Sequence, residues 1–138
     1  MSIFEVVRLL LDFGLVILIW LVQLVIYSAF PYYGHKELML WHKKYTSRIT
    51  LIVIPLMIGQ LVISIIEILK NTSMFNIIIC LSIYSIWIIT FFFIVPIHKK
   101  INKSLYTPFA LRKLIKINWL RTILWTLIFV LSLMQNMI

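Results

Sequence analysis

The residues able to do chemistry crowd two basic stretches of this chain. One carries His35, Trp41, His42 and Tyr45; the other, VPIHKKINKSLYTPFALRKLIKINWLRTILW, carries His98, Asn118, Trp119, Arg121 and Trp125. An imidazole exchanges protons near neutral pH and binds metals through either ring nitrogen. His42 and His98 could therefore act as a general base, a metal pair or haem axial ligands. Arg121 offers a fork of donors that keeps its charge. With Asn118 it could hold a carboxylate, a propionate or a carbonyl oxygen. Tyr45, Trp119 and Trp125 would wall an apolar pocket, although Trp41 and Trp119 equally suit the aromatic belt of a membrane interface. His35 reads as a solvated loop residue. A second group comprises Glu5, Arg8, Asp12 and Glu67. Arg8 is spaced to pair with Asp12 or Glu5 along a helix. That group reads as an ion-paired plug fixing helix register, or as a proton path.

These residues must be positioned by membrane helices. The 138 residues are 63% hydrophobic, against about 45–50% for a soluble domain, and the mean hydropathy is +1.08. Four apolar runs approach the roughly 20 residues a helix needs to cross a bilayer. The expectation is an all-α, integral membrane four-helix bundle with antiparallel up-down topology. It forms one domain, 1–138, with helices over about 3–30, 45–69, 74–97 and 108–137. Pro31 and Pro96 are expected to end the first and third helices, and Pro55 to kink the second. Thr72 or Ser73 can cap the third, and Thr107-Pro108 starts the fourth. The basic FALRKLIKI segment either lies at headgroup level or continues a straight helix out of the membrane.

Polar residues recur at helical spacing on every run. The stripes are Glu5, Arg8, Asp12 and Gln23; His42, Thr46, Gln60, Ser64 and Glu67; Cys80, Tyr84, Trp87, Phe91 and His98; and Thr107, Asn118, Thr122, Trp125, Ser132 and Asn136, with Arg121 at the edge. In lipid such stripes turn towards neighbouring helices.

The net charge of +9 does not indicate nucleic acid, because the basic residues sit in loops beside spans. All of the 13 Lys and Arg residues except Arg8 and Lys70 fall on the side shared by the first and third loops. The positive-inside rule then puts those loops in the cytoplasm and both termini outside a cell inner membrane. The Asn71-Thr72-Ser73 sequon reads as capping residues. The single cysteine, Cys80, excludes an internal disulfide, and no zinc spacing is present. No signal peptide, phosphate loop, nucleotide fingerprint or nucleophile–base pair is recognisable.

The segments WHKKYTSRI, VPIHKKI and INWLRTILW resemble a group of small four-span bacterial membrane proteins of uncharacterised function, over about residues 10 to 128. VP-[IL]-H and NW-x-RT are the most specific pieces. That group is distantly similar to the anthrone-oxygenase-like families. The resemblance implies a four-helix membrane bundle with His42, His98, Asn118, Trp119, Arg121 and Thr122 at its motif positions. Through the anthrone oxygenases it implies cofactor-free oxidation of aromatic polyketides. A second similarity is to the small haem-binding protoporphyrinogen oxidases, although the R-x-x-N-E-x-P ending of that family is missing.

Three functions follow as expectations. One is an oxidoreductase- or oxygenase-like protein binding an apolar aromatic ligand or haem. Another is a non-catalytic subunit or assembly factor packing against other membrane subunits or a second copy. The third is a small transporter or proton conductor using Asp12, Arg8 and Glu67. Glu37 is the only carboxylate on the basic side, so Arg121 calls for a ligand or partner anion. The charge asymmetry predicts that a reporter fused after Ile138 is active outside the cytoplasm; activity inside would reverse the orientation while leaving the bundle intact.

Overall fold

A computed structural model describes residues 1–138, all within one bundle. Four helices cross: α1 (Ile3–Tyr32), α2 (His35–Lys70), α3 (Met74–Asn102) and α4 (Pro108–Met137), each long and apolar enough to span a bilayer. They form an antiparallel up-down ring in which α1 packs on α2 and α4, and α3 on α2 and α4. The caps of α3 and α4 come from the expected residues, and α1 has one the sequence did not mark. Ser2 and Glu5 make a reciprocal capping box on α1. Ser73 accepts from the Asn76 amide and Thr107 from the Ala110 amide.

The helices run further than their apolar stretches. α2 begins at His35 rather than near residue 45, because its basic first turns pack Leu38, His42 and Tyr45 into the bundle. α3 continues past Pro96 to Asn102. A widened π turn at Thr90–Ile94 precedes that proline. It lets the ring pass where a regular helix would force it against the carbonyl of the preceding turn. A second π turn, Val22–Ile26, interrupts α1 just before Tyr27. α4 is a single unbroken helix, so FALRKLIKI continues it straight, with Leu111 and Leu114 against the bundle.

The surface is apolar and much of the interior is polar, the reverse of a soluble protein. Phe13, Ile17, Leu51, Leu81, Phe92 and Ile123 face outward, while Asp12, Gln23, Gln60, Asn118, Thr122 and Ser132 are buried. Interhelical hydrogen bonds and close packing, rather than water exclusion, hold such a bundle together. Gln23 is one junction: its Nε2 donates to the Ile115 carbonyl (3.1 Å), and its Oε1 accepts from Asn118 Nδ2 (2.8 Å) and Thr122 Oγ1 (3.2 Å). Gln60 is another, donating to Asp12 Oδ1 (2.7 Å) and accepting from Trp125 Nε1 (3.0 Å). Gly59 lets α1 come close, since a methyl there would sit 3.2 Å from Leu11 Cδ1.

The inward stripes of α1, α2 and α4 match their sequence periodicity, but that of α3 does not. Its buried face is Asn76, Ile79, Ile83, Ile86 and Thr90, while Tyr84 and Phe91 are exposed. In lipid an aromatic ring is as well placed outside as inside, so Tyr84 and Phe91 did not mark a face. The expected ion pair of Arg8 is also overturned. Arg8 donates to the amide oxygens of Asn76 and Gln135. Glu5 turns back to the Ser2 amide, and Asp12 is taken by Gln60 and Ser132 reaching across the bundle. Replacing Gln23 with Leu removes three of these bonds. It should cost roughly 2 kcal/mol, at about 0.6 kcal/mol for each interhelical bond, seen as a lower Tm in detergent; Phe92→Leu on the lipid face should leave Tm unchanged.

Candidate functional site

At the end of the bundle shared by the first and third loops, His42 and His98 touch. His42 Nε2 and His98 Nδ1 are 2.7 Å apart, with ring centroids at 4.8 Å. His98 Nε2 meets the Tyr27 hydroxyl at 2.8 Å, and His42 Nδ1 meets Asn102 Oδ1 at 2.7 Å. The proton positions follow in order. The Asn102 oxygen only accepts, so His42 carries its proton on Nδ1 and accepts at Nε2. His98 must then donate from Nδ1 and accept at Nε2, where the Tyr27 O–H donates. A carbonyl oxygen at one end thus directs a chain of two imidazoles towards one phenol. Both π turns lie just ahead of residues in this chain, Tyr27 on α1 and His98 on α3. Such turns recur at functional sites because they re-aim the side chains that follow.

Tyr27 and His98 also line a cavity of about 190 Å³ between α2 and α3. Its walls are mostly apolar, including Val22, Ile49, Val53, Met57 and Ile94, and its polar groups are Tyr27, Tyr45, Thr46, Thr50, Thr90, His98 and Arg121. Thr50 and Phe91 on its rim are exposed on the outer surface of the bundle. The cavity therefore opens sideways, through the gap between two helices.

Depth follows from helix length. Measured from the opposite end, 20 residues at 1.5 Å each cover the roughly 30 Å hydrocarbon layer. That count reaches Gln23 on α1, Thr50 on α2, Ile94 on α3 and Ile117 on α4. The cavity straddles this level, Arg121 lies about one turn towards the opposite end, and His42 and Asn102 lie towards the basic end.

Arg121 is 5% exposed; its Nε is sealed with no partner, its guanidinium lies beside the Tyr27 hydroxyl, and no carboxylate pairs with it. Its charge acts on Tyr27, Tyr45 and His98, and its guanidinium sits 5.1 Å from the Trp125 ring. Thr90 Oγ1, another buried group on a cavity-lining residue, is also unpartnered. A buried guanidinium without a counter-ion is costly, and the cavity that Arg121 lines has room for an anionic group.

Of the residues marked out in the sequence, His98, Arg121 and Tyr45 line the cavity. His42 stands behind His98. Asn118 does not reach the cavity, being held by Gln23. Trp119 is 39% exposed and packs edge-on against Trp20 on the outside. Trp125 lies behind Arg121, bonded to Gln60. His35 is neither buried nor free: it stacks on Tyr106 at 4.4 Å and bonds Ser104, clasping the two loops. Glu5, Arg8 and Glu67 share a recess at the opposite end, while Asp12 lies deeper. Two members of the chain escaped the sequence reading. Tyr27 falls one turn beyond Gln23 on the same stripe, and Asn102 one turn beyond His98, past the proline where the helix was expected to stop.

The pair does not fit haem. All four imidazole nitrogens are engaged, and direct ring-to-ring contact at 2.7 Å leaves no room for iron between them. No group of three or more His, Cys, Asp or Glu residues is placed to hold a metal ion. Tyr27→Phe should free His98 Nε2, shifting its imidazole ¹⁵N resonance at a stability loss of about 1 kcal/mol, whereas Trp119→Phe should move neither. No family model, curated protein or solved structure matches this chain.

Proposed function

We propose that this protein is an oxygenase-like membrane protein that takes an apolar aromatic ketone or phenol from the bilayer. The observation that supports it most is the pairing of a directed Asn102–His42–His98–Tyr27 chain with Arg121, a buried cation with no anionic partner, on one lateral apolar cavity. Such a cavity admits a lipid-dissolved ligand without exposing it to water. The basic end of the bundle faces the cytoplasm of a cell inner membrane, by the positive-inside rule, so the site belongs to the inner leaflet.

The chain's own residues suit base catalysis. Asn102 holds the His42 tautomer, and His42 in turn holds that of His98, leaving His98 Nε2 as the base towards Tyr27. Tyr27 passes its proton to His98 and takes one from the ligand's acidic C–H or O–H. The negative charge left on the ligand oxygen is met by the Arg121 fork. An anthrone-type substrate would then reduce dioxygen directly. Its ring methylene becomes a carbonyl, one oxygen atom stays on that carbon, and the other leaves as water with the two methylene hydrogens. The four-span group that the motifs resemble is itself distantly similar to anthrone-oxygenase-like families.

The test uses purified protein in detergent with anthrone as probe, following anthraquinone absorbance and oxygen uptake. Arg121→Lys keeps the charge but loses the fork, and should lower turnover about tenfold or more with folded yield and Tm held. Tyr27→Phe should lower it about a hundredfold, in the range of a general acid–base group. Equal loss of folded protein and turnover in Arg121→Lys would assign Arg121 to structure, and absence of turnover in the parent protein would remove the oxygenase reading.

A further inference from the structure

The opposite end of the bundle holds a second, different site. A recess of about 340 Å³, with no hydrophobic residue in its lining, is bordered by Glu5, Arg8, Glu67, Lys70, Asn76 and Gln135. The ends of all four helices contribute. Arg8 is 2% exposed, yet its two hydrogen bonds go to the neutral amides Asn76 and Gln135, and its Nε has no partner. Its bonded partners are neutral amides and the buried Asp12 carboxylate acts on it only through space, so Arg8 has no directly bonded anion. The carboxylates on the rim do not answer it. Glu5 is taken by the Ser2 amide, and Glu67 contributes only its backbone carbonyl to the local hydrogen bonds. Lys70 lies over the Phe4 ring, 3.9 Å from its centroid, not on a carboxylate.

We infer that this recess binds a zwitterionic headgroup of the phosphoethanolamine type. An anion alone would meet Glu5 and Glu67, and a cation alone would meet Arg8 and Lys70. A phosphate joined by a short link to a primary ammonium suits both. The phosphate sits towards the buried Arg8 fork with Lys70 at its edge, and the ammonium donates to the free Glu67 carboxylate. The recess lies at the ends of all four spans, where a phospholipid headgroup would stand beside a bundle of this length. The same chemistry is carried by phosphatidylethanolamine and by soluble phosphoethanolamine. This inference stands apart from the cavity at the histidine end and shares no residue with it.

Native mass spectrometry of the full chain, released from bilayers of equal phosphatidylethanolamine, phosphatidylglycerol and phosphatidylcholine, tests it. Phosphatidylethanolamine should be retained roughly tenfold over each of the others, the discrimination of one charge-assisted hydrogen bond. Glu67→Gln leaves the backbone carbonyl that caps α2 in place and should abolish that preference without lowering Tm. A parallel Tm measurement in detergent with free phosphoethanolamine identifies the source: a stabilising shift assigns the soluble compound, and retention of the lipid without a shift assigns the membrane. Equal retention of the three lipids with no shift from phosphoethanolamine would overturn the inference, as would a Glu67→Gln variant that keeps the parent's preference.

Discussion

Everything in this bundle depends on one constraint: inside lipid, a polar group has only the protein to bond to. Hydrophobic burial does little to choose between packings, because lipid tails are as apolar as the helices' own leucines and isoleucines. The choice falls to a few amides. Gln23 ties α1 to α4 through both ends of its side chain, and Gln60 ties α2 to α1 and α4. Sliding one helix by a turn would break several of these bonds at once. Their geometry therefore sets the register that brings Tyr27, His42 and His98 to a common depth.

Against this satisfied interior the exceptions are informative. The unpartnered buried polar atoms include Arg8 Nε, Arg121 Nε and Thr90 Oγ1, and all three residues border open space. The two arginines sit near opposite ends of the bundle, and neither has a carboxylate partner. Asp12 sits between them, its oxygens taken by Gln60 and Ser132. A continuous proton path from Arg8 to Arg121 would have to pass the Gln60 amide and the Trp125 indole, whose N–H groups do not exchange protons readily.

The π turns connect packing to chemistry. Each loosens the backbone where a regular helix would have continued, and each precedes a member of the Tyr27–His98 contact. The turn at Thr90–Ile94 also lets Pro96 sit inside α3 and carries Asn102 to His42. Without that extension His42 would lack the acceptor that selects its tautomer, and the direction of the chain would be undetermined.

Much was legible from the residues alone. Run lengths and capping signals specify four antiparallel spans, and the charge asymmetry groups the basic loops. Polar periodicity names the inward faces of α1, α2 and α4, because on those helices the amides and charges recur at intervals only one face can satisfy. It also puts His42 and His98 at the same end. Other features were settled only by the tertiary structure. Asn118 and Trp125 share a stripe with Arg121, yet they bond Gln23 and Gln60 rather than the cavity, because those glutamines arrive from other helices at the same depth. Arg8 has carboxylates at helical spacing on its own helix but bonds amides from α3 and α4. α3 shows its true face in Asn76 and Thr90 rather than in its aromatic rings. The physical reason is common to all of these. Spacing along one helix determines which way a side chain points, whereas its partner comes from a helix far away in sequence, and only the packed bundle determines which one stands opposite.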